Sequence, residues 1–132
     1  MLQSVPLGLV AALQGATGVG LIAFWVVFFT TDWLLPAHPP PGYLAHERAF
    51  AYPDVLMGFA LLAAAVLNWN GMPLGPALSL ICAGSLLFLG VIDLAYDIEN
   101  GLLGGSLREV IQNAAIDFWV LLFGLFLALR FA

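Results

Sequence analysis

The chain has 132 residues, of which 63% are hydrophobic and 8% are charged. A soluble domain is typically about 45–50% apolar and about 25% charged, and a small domain buries only about two-thirds of the surface that its unfolded chain exposes. This composition excludes an ordinary soluble enzyme, a disordered chain and a nucleic-acid binder, and it predicts an all-α integral membrane protein. The formal net charge of −5, with only three Lys and Arg residues, also excludes a polybasic membrane-surface role.

Four stretches have the length and apolarity of membrane spans, since a transmembrane helix needs about 20 mostly apolar residues. The predicted spans are residues 6–31, 53–69, 76–100 and 107–131, within a single domain of residues 1–132. The last two connections are short, which favours antiparallel neighbours. The expected fold is therefore an antiparallel up-down four-helix transmembrane bundle.

Local signals mark several ends of these spans. Pro53 suits a first helical turn, so the second span is expected to start there, with Asp54 at the positive end of the helix dipole. Residues 32–52 form a long first loop that contains three consecutive prolines and a short interfacial helix over residues 44–51. Gly101 is expected to cap the third span, and Ser106 with Glu109 forms a capping box before the fourth.

Contacts between the spans are predicted at small residues, which allow membrane helices to approach closely. Span one offers a stripe of Ala12, Ala16 and Gly20 and a second stripe of Ala11 and Gly15, and span two offers Gly58 and residues 60–65. The polar Gln14 of span one is expected to make a single hydrogen bond to a neighbouring helix.

The acidic residues carry the functional information. In an alternating bundle, the first and third connections lie on one side of the membrane, and all eight acids fall in that half: Asp32, Glu47, Asp54, Asp93, Asp97, Glu99, Glu109 and Asp117. Asp117 lies roughly 16 Å along its helix from Ser106, near the middle of a hydrocarbon core about 30 Å thick. A charge at that depth costs about 2.5–3.5 kcal/mol, so Asp117 should face the bundle interior or a water-filled cavity, or carry a proton.

Helical spacing groups these residues into one predicted site. Residues four apart share a helix face, so packing of spans three and four should enclose a polar chamber. The predicted ligand- or cation-binding residues are Asp93, Asp97, Asn113, Asp117 and Tyr96. The residues expected at the mouth of this chamber are Glu47, Arg48, Asp54 and Arg108.

Each assignment has a structural alternative. For Asp93, Asn113 and Asp117, interhelical hydrogen bonding weighs as much as a functional site. For Asp97, an ion pair with Arg108 across the short third connection is an equal alternative. No cofactor is evident, because the single cysteine, Cys82, cannot form a redox pair or a zinc site, although a bound cation would suit the carboxylates.

Carboxylate, amide and hydroxyl oxygens suit a hard cation or a proton. The leading hypothesis is a small polytopic membrane protein whose acidic, membrane-embedded site binds or conducts a cation, a proton or a small polar ligand. The alternative is a structural or accessory subunit of a larger membrane complex, with the polar residues as an interhelical hydrogen-bond network. An enzyme is less favoured because no nucleophile–base pair is present, but a metal-assisted hydrolase using Asp93, Asp97 and Asp117 stays open.

The expected surroundings follow from the same features. The lipid bilayer is the predicted partner, together with a second copy of the chain or another membrane subunit, in a cell membrane of bacterial type. Arg48 and Arg108 lie on the acidic side and Arg130 on the other. Because cytoplasmic loops are enriched in Lys and Arg, the acidic mouth is predicted to face the cytoplasm.

Overall fold

The computed structural model describes residues 1–132, and every regular element is helical. After a single 3-10 turn at Leu2–Ser4, four long helices follow: α1 (Leu7–Thr30), α2 (Tyr43–Trp69), α3 (Leu74–Glu99) and α4 (Leu107–Phe131). Each helix is long and apolar enough to cross a membrane. The predicted all-helical class with four apolar helices is therefore confirmed.

The outer surface of the bundle is apolar. No more than 33% of the most apolar window of any helix is buried, and large side chains such as Leu56, Phe88 and Leu122 are exposed. Soluble monomers rarely expose contiguous apolar patches of more than a few hundred Å². Composition and surface together indicate a small membrane protein.

Helix α2 begins earlier than the sequence suggested. It starts at Tyr43, directly after Gly42, whose φ of +79° is left-handed and favours glycine. It then continues through Pro53, although this proline supplies no N–H for the carbonyl of Ala49. Prolines inside membrane helices are tolerated because neighbouring groups satisfy the freed carbonyls. The predicted long loop of residues 32–52 therefore shortens to residues 31–42, and the expected interfacial helix is the first part of α2.

The predicted caps at the C-terminal end of α3 and at the N-terminal end of α4 are confirmed. Helix α3 ends at Glu99, and Gly101 follows with a φ of +71°. Before α4, the Ser106 Oγ accepts a hydrogen bond from the Glu109 N–H at 3.3 Å, and the Ser106 N–H donates to Glu109 Oε2 at 3.1 Å. The other carboxylate oxygen of Glu109 accepts from the Ala37 N–H at 2.7 Å, which ties the first connection to the start of α4.

The helices pack in chain order. Helix α1 packs against α2, α2 against α3, and α3 against α4, whereas no Cα atom of α1 lies within 8 Å of a Cα atom of α4. Helices α1 and α2 approach closely at Gly18, where an added Cβ would lie 2.7 Å from the carbonyl oxygen of Gly58. The predicted stripe of Ala12, Ala16 and Gly20 is exposed instead, because spacing identifies stripes of small residues but not the rotation of the helix.

The end of the bundle opposite the first and third connections holds the main core. Its buried apolar members are Val10, Met57, Leu61, Cys82, Ala83, Leu86, Phe123 and Leu127. Three polar side chains, each no more than 1% exposed, lie at the same end. Gln14 Nε2 donates to Ser79 Oγ at 2.7 Å, and Asn68 Nδ2 donates to Gln14 Oε1 at 2.8 Å and to Ser79 Oγ at 3.0 Å. This network joins α1, α2 and α3, so Gln14 bonds to two helices rather than to one.

Candidate functional site

A cavity of about 460 Å³ lies between the four helices in the half of the bundle next to the first and third connections. Its wall is formed by residues 16–25 of α1, 43–54 of α2, 89–97 of α3 and 112–120 of α4. None of the lining residues is Lys, Arg or His. The acidic lining residues are Glu47, Asp54, Asp93, Asp97 and Asp117, and the aromatic ones are Phe24, Trp25, Tyr43, Phe50 and Trp119.

Three aspartates form the inner acidic group. One carboxylate oxygen from each of Asp93, Asp97 and Asp117 lies within 4.8 Å of the other two. Asp97 is 4% exposed and Asp117 is 1% exposed, and the only hydrogen-bond partners of the Asp117 carboxyl group are the carboxyl groups of Asp93 and Asp97. Carboxylates at such separations cannot all remain charged without compensation. A shared proton or a bound cation would supply this compensation.

A second group of titratable side chains continues from the first. His46, Glu47 and Asp93 also offer ligand atoms within 4.8 Å of one another, and Asp93 belongs to both groups. The His46 ring stacks on Tyr96 with ring centroids 3.5 Å apart and an interplanar angle of 8°. A continuous chain of titratable side chains thus leads from His46 to Asp117.

The predicted binding residues separate into two sets. Asp93, Asp97 and Asp117 lie together, as helical spacing indicated. Asn113 lines the cavity, but its amide donates to the carbonyl of Leu102 at 3.0 Å. Tyr96 does not line the cavity, because its ring packs on His46 instead.

The residues predicted at the mouth also differ in their positions. Glu47 and Asp54 line the cavity, but Asp54 does not start a helix, because α2 begins at Tyr43. Its Oδ2 accepts a hydrogen bond from Trp25 Nε1 at 3.0 Å, so it links α2 to α1. Arg48 is exposed and lies outside the cavity wall.

Arg108 does not pair with Asp97. It lies in the first turn of α4, is exposed, and donates to the carbonyl oxygen of Trp33 in the first connection. The structure contains no salt bridge between the two, since Asp97 is buried on the cavity side of α3. The alternative of an Asp97–Arg108 ion pair is therefore wrong. No Lys or Arg side chain offsets the charge of the inner aspartates, and one basic group, His46, lies beside Asp93.

Helix packing does not close the cavity wall between α1 and α4. The two helices do not pack on each other, and Trp119 Nε1 donates to Thr17 Oγ1 across the gap at 3.1 Å. Beside this bond, the cavity is lined by small, exposed residues: Ala16, Gly20 and Ala115. Beside the Thr17–Trp119 bond, small side chains therefore line the cavity on this side.

Hydrogen bonds close both ends of this gap. At the end near the first connection, Gln112 Nε2 donates to the carbonyl of Leu34 at 3.2 Å. At the opposite end, Arg130 Nε donates to the carbonyl of Val5 at 3.1 Å. The gap is thus a window of limited length rather than an open cleft along the whole bundle.

The end of the cavity next to the connections is covered by apolar side chains. Trp25 and Tyr43, which line the cavity, belong to a buried cluster with Phe28, Ala51 and Leu102. Leu102 comes from the connection between α3 and α4. This cluster separates the inner carboxylates from the surface of the first and third connections.

Sequence reasoning missed His46, Thr17 and the two tryptophans of the cavity wall. His46 fell in a predicted loop, and only the early start of α2 brings it to α3. Thr17, Trp25 and Trp119 have no spacing signal, because in an apolar helix an aromatic residue is equally suited to lipid and to a cavity. Their location depends on how each helix is rotated.

Comparisons with protein-family models, with curated proteins and with solved structures find no match to this chain. A four-helix fold alone does not identify an activity, so the chemistry of the cavity carries the functional information.

Proposed function

We propose that this protein is an integral membrane protein whose four helices cross the bilayer in alternating directions and whose cavity binds a cation at Asp93, Asp97 and Asp117. The observation that carries the proposal is the environment of Asp117. Its carboxyl group is 1% exposed, meets no hydrogen-bond partner other than the carboxyl groups of Asp93 and Asp97, and lies in a cavity wall that contains no Lys, Arg or His. An isolated buried carboxylate is costly, and a bound cation, or a proton in its absence, removes this cost.

The chain of titratable groups supports exchange between the cation and protons. Carboxylate oxygens are the ligands that hard cations prefer, and interacting carboxyl groups exchange protons as a unit. His46 and Glu47 connect Asp93 to the first turns of α2. We propose that protons leave along this route when a cation enters and return when it departs.

A purely structural role for the aspartates has less support. An accessory subunit held together by interhelical hydrogen bonds would use each polar group as a donor or acceptor. Gln14, Asn68 and Ser79 bond to one another in this way at the opposite end of the bundle, where only Asn68 Oδ1 is left without a partner. Asp117 meets only two other carboxyl groups, which can bond to it only through a shared proton, and this favours a binding role for the acidic group.

The test is the thermal unfolding midpoint of the purified protein in lipid nanodiscs, measured with Na⁺, Mg²⁺, Ca²⁺, Mn²⁺ and tetraphenylphosphonium. Asp117→Asn keeps the side-chain volume and removes the charge. Asp32→Asn is the matched control, because Asp32 is exposed in the first connection. We expect at least one cation to raise the midpoint of the parent and the control, but not that of Asp117→Asn. Identical responses of all three proteins to every cation would contradict the proposal.

We further propose that the apolar surface contacts lipid and that the acidic half of the bundle faces the cytoplasm. Single cysteines at His38, Met72 and Gly104 test both points, because all three positions are exposed and Cys82 is buried. A membrane-impermeant maleimide added to intact cells should label Met72→Cys alone. Labelling of Met72→Cys together with His38→Cys would contradict alternating spans. A second copy or another subunit stays a prediction, tested by the mass of the purified complex.

A further inference from the structure

We infer that the cavity takes an organic cation with an apolar body, which enters from the lipid between α1 and α4. This inference rests on the proposed cation site and names the class of its ligand. It follows from three observations on the cavity: its volume, the chemistry of its wall and the side on which α1 and α4 do not pack on each other.

The volume exceeds what an inorganic ion needs. At about 30 Å³ per water molecule, a cavity of about 460 Å³ has room for roughly 15 waters. A calcium ion is held by oxygen atoms only about 2.3–2.6 Å away. Pockets of about 300–1,000 Å³ are typical of organic ligands, so the three aspartates explain a positive charge on the ligand but not the remaining space.

The wall combines negative charge with aromatic faces. The wall contains five acidic side chains and no basic one. This excess of negative charge disfavours an anionic ligand. Aromatic rings attract a cation within about 6 Å of the ring centroid, most strongly in the case of Trp. Trp25 is fixed by its hydrogen bond to Asp54, and Trp119 by its hydrogen bond to Thr17. A carboxylate beside fixed aromatic rings suits a substituted ammonium or phosphonium group.

The route follows from the packing of the helices. The end of the cavity near the connections is covered by the apolar cluster of Trp25, Tyr43 and Leu102. The side between α1 and α4 is lined by Gly20 and other small residues and is crossed by one side-chain hydrogen bond. A ligand with an apolar body partitions into the bilayer and meets this side directly.

The probe is tetraphenylphosphonium, and its matched control is tetraphenylborate, which has nearly the same size and shape but a negative charge. Trp33 and Trp69 are exposed and lie outside the cavity wall. In a Trp33→Phe/Trp69→Phe background, the remaining tryptophans, Trp25 and Trp119, both report on the cavity. We expect saturable changes in their fluorescence with the cation and none with the anion. Asp117→Asn should raise the dissociation constant at least about tenfold, and Asp32→Asn should not.

A second pair of variants tests the route. An added Cβ at Gly20 meets nothing within 4 Å, so Gly20→Leu should fold and fill the entrance. Gly84→Leu is the matched control, because Gly84 is also exposed with nothing within 4 Å and does not line the cavity. We expect Gly20→Leu to slow association of the phosphonium about tenfold or more. The control should keep the parental rate.

The outcomes separate the two proposals. Equal binding of the phosphonium and the borate, or binding that Asp117→Asn leaves unchanged, overturns the organic-cation ligand. If tetraphenylphosphonium does not bind while an inorganic cation still requires Asp117 for binding, the proposed ligand class is wrong and the cation site stands. If no cation depends on Asp117, both proposals fail. Equal association rates for Gly20→Leu and Gly84→Leu overturn the route from the lipid.

Discussion

Trp119 donates a hydrogen bond from its indole Nε1 to Oγ1 of Thr17 at 3.1 Å, and this is the only side-chain hydrogen bond between α1 and α4. It crosses the side of the cavity where the two helices do not pack. A single bond of this kind contributes little to stability, because interhelical hydrogen bonds in membranes average about 0.6 kcal/mol. Because the bond crosses the proposed route from the lipid, we expect it to affect access to the cavity more than the stability of the fold.

Thr17→Val should therefore speed the exchange of tetraphenylphosphonium while lowering the free energy of unfolding by no more than about 1–2 kcal/mol. Stopped-flow Trp fluorescence gives the association and dissociation rates. Thr30→Val is the control, because Thr30 is exposed and donates only to the carbonyl of Val26 in its own helix. Unchanged rates in Thr17→Val would show that the Thr17–Trp119 bond does not control entry.

Gly18→Ala should destabilise the protein, because its Cβ would lie 2.7 Å from the carbonyl oxygen of Gly58, a backbone atom that cannot move alone. Overpacking of this kind typically costs about 1–3 kcal/mol. Gly20→Ala is the control two residues further along α1, where a Cβ meets nothing within 4 Å. It should be neutral or stabilising by up to about 1 kcal/mol. Unfolding by sodium dodecyl sulfate in mixed micelles measures the stability of both variants. Equal losses of stability in the two variants would contradict the close contact of α1 with α2.

Asn68→Ala should lower the free energy of unfolding by about 1–3 kcal/mol, because Gln14 and Ser79 lose a buried partner. The matched control is Asn70→Ala, since Asn70 is exposed and donates only to the carbonyl of Val66 in its own helix. We expect that control to stay within about 0.5 kcal/mol of the parent. Neither variant should alter the affinity for tetraphenylphosphonium. A change in affinity without a change in stability would mean that this network belongs to the binding site.

Cation binding should weaken as the pH falls, because protons and the cation compete for the same carboxyl groups. If one proton leaves for each cation bound, the logarithm of the dissociation constant rises by about one for each unit by which the pH falls, over the range in which the site titrates. Fluorescence titrations from acid to neutral pH measure this slope. Asp117→Asn should flatten it. An affinity that is independent of pH in the parent protein would contradict exchange with protons.

The inner aspartates were predictable because their grouping depends on two local rules. Residues four apart share a helix face, which aligns Asp93 with Asp97. The short connection between α3 and α4 then brings Asp117 beside them. The capping box of Ser106 and Glu109 was predictable for the same reason, since both partners lie within one turn.

The rest of the cavity wall depends on the rotation of whole helices. Nothing in an apolar sequence distinguishes a tryptophan that faces lipid from one that lines a cavity, so Trp25 and Trp119 gave no signal. Pro53 gave a misleading signal for the start of α2. In water a proline marks a helix start, but in lipid an interrupted helix leaves further backbone groups without partners. The helix therefore continues through Pro53, and its early start places His46 beside Tyr96.

The hydrogen bonds of Gln112 and Arg130 limit the window between α1 and α4 at its two ends. Because both ends of this window are fixed, it limits the width of a ligand that passes between α1 and α4 but not the length of that ligand. A hydrocarbon tail attached to a cationic head can therefore remain among the acyl chains while the head lies beside Asp117. Selectivity among amphiphilic amines would then depend on the bulk of the head group and would be almost independent of the length of the tail.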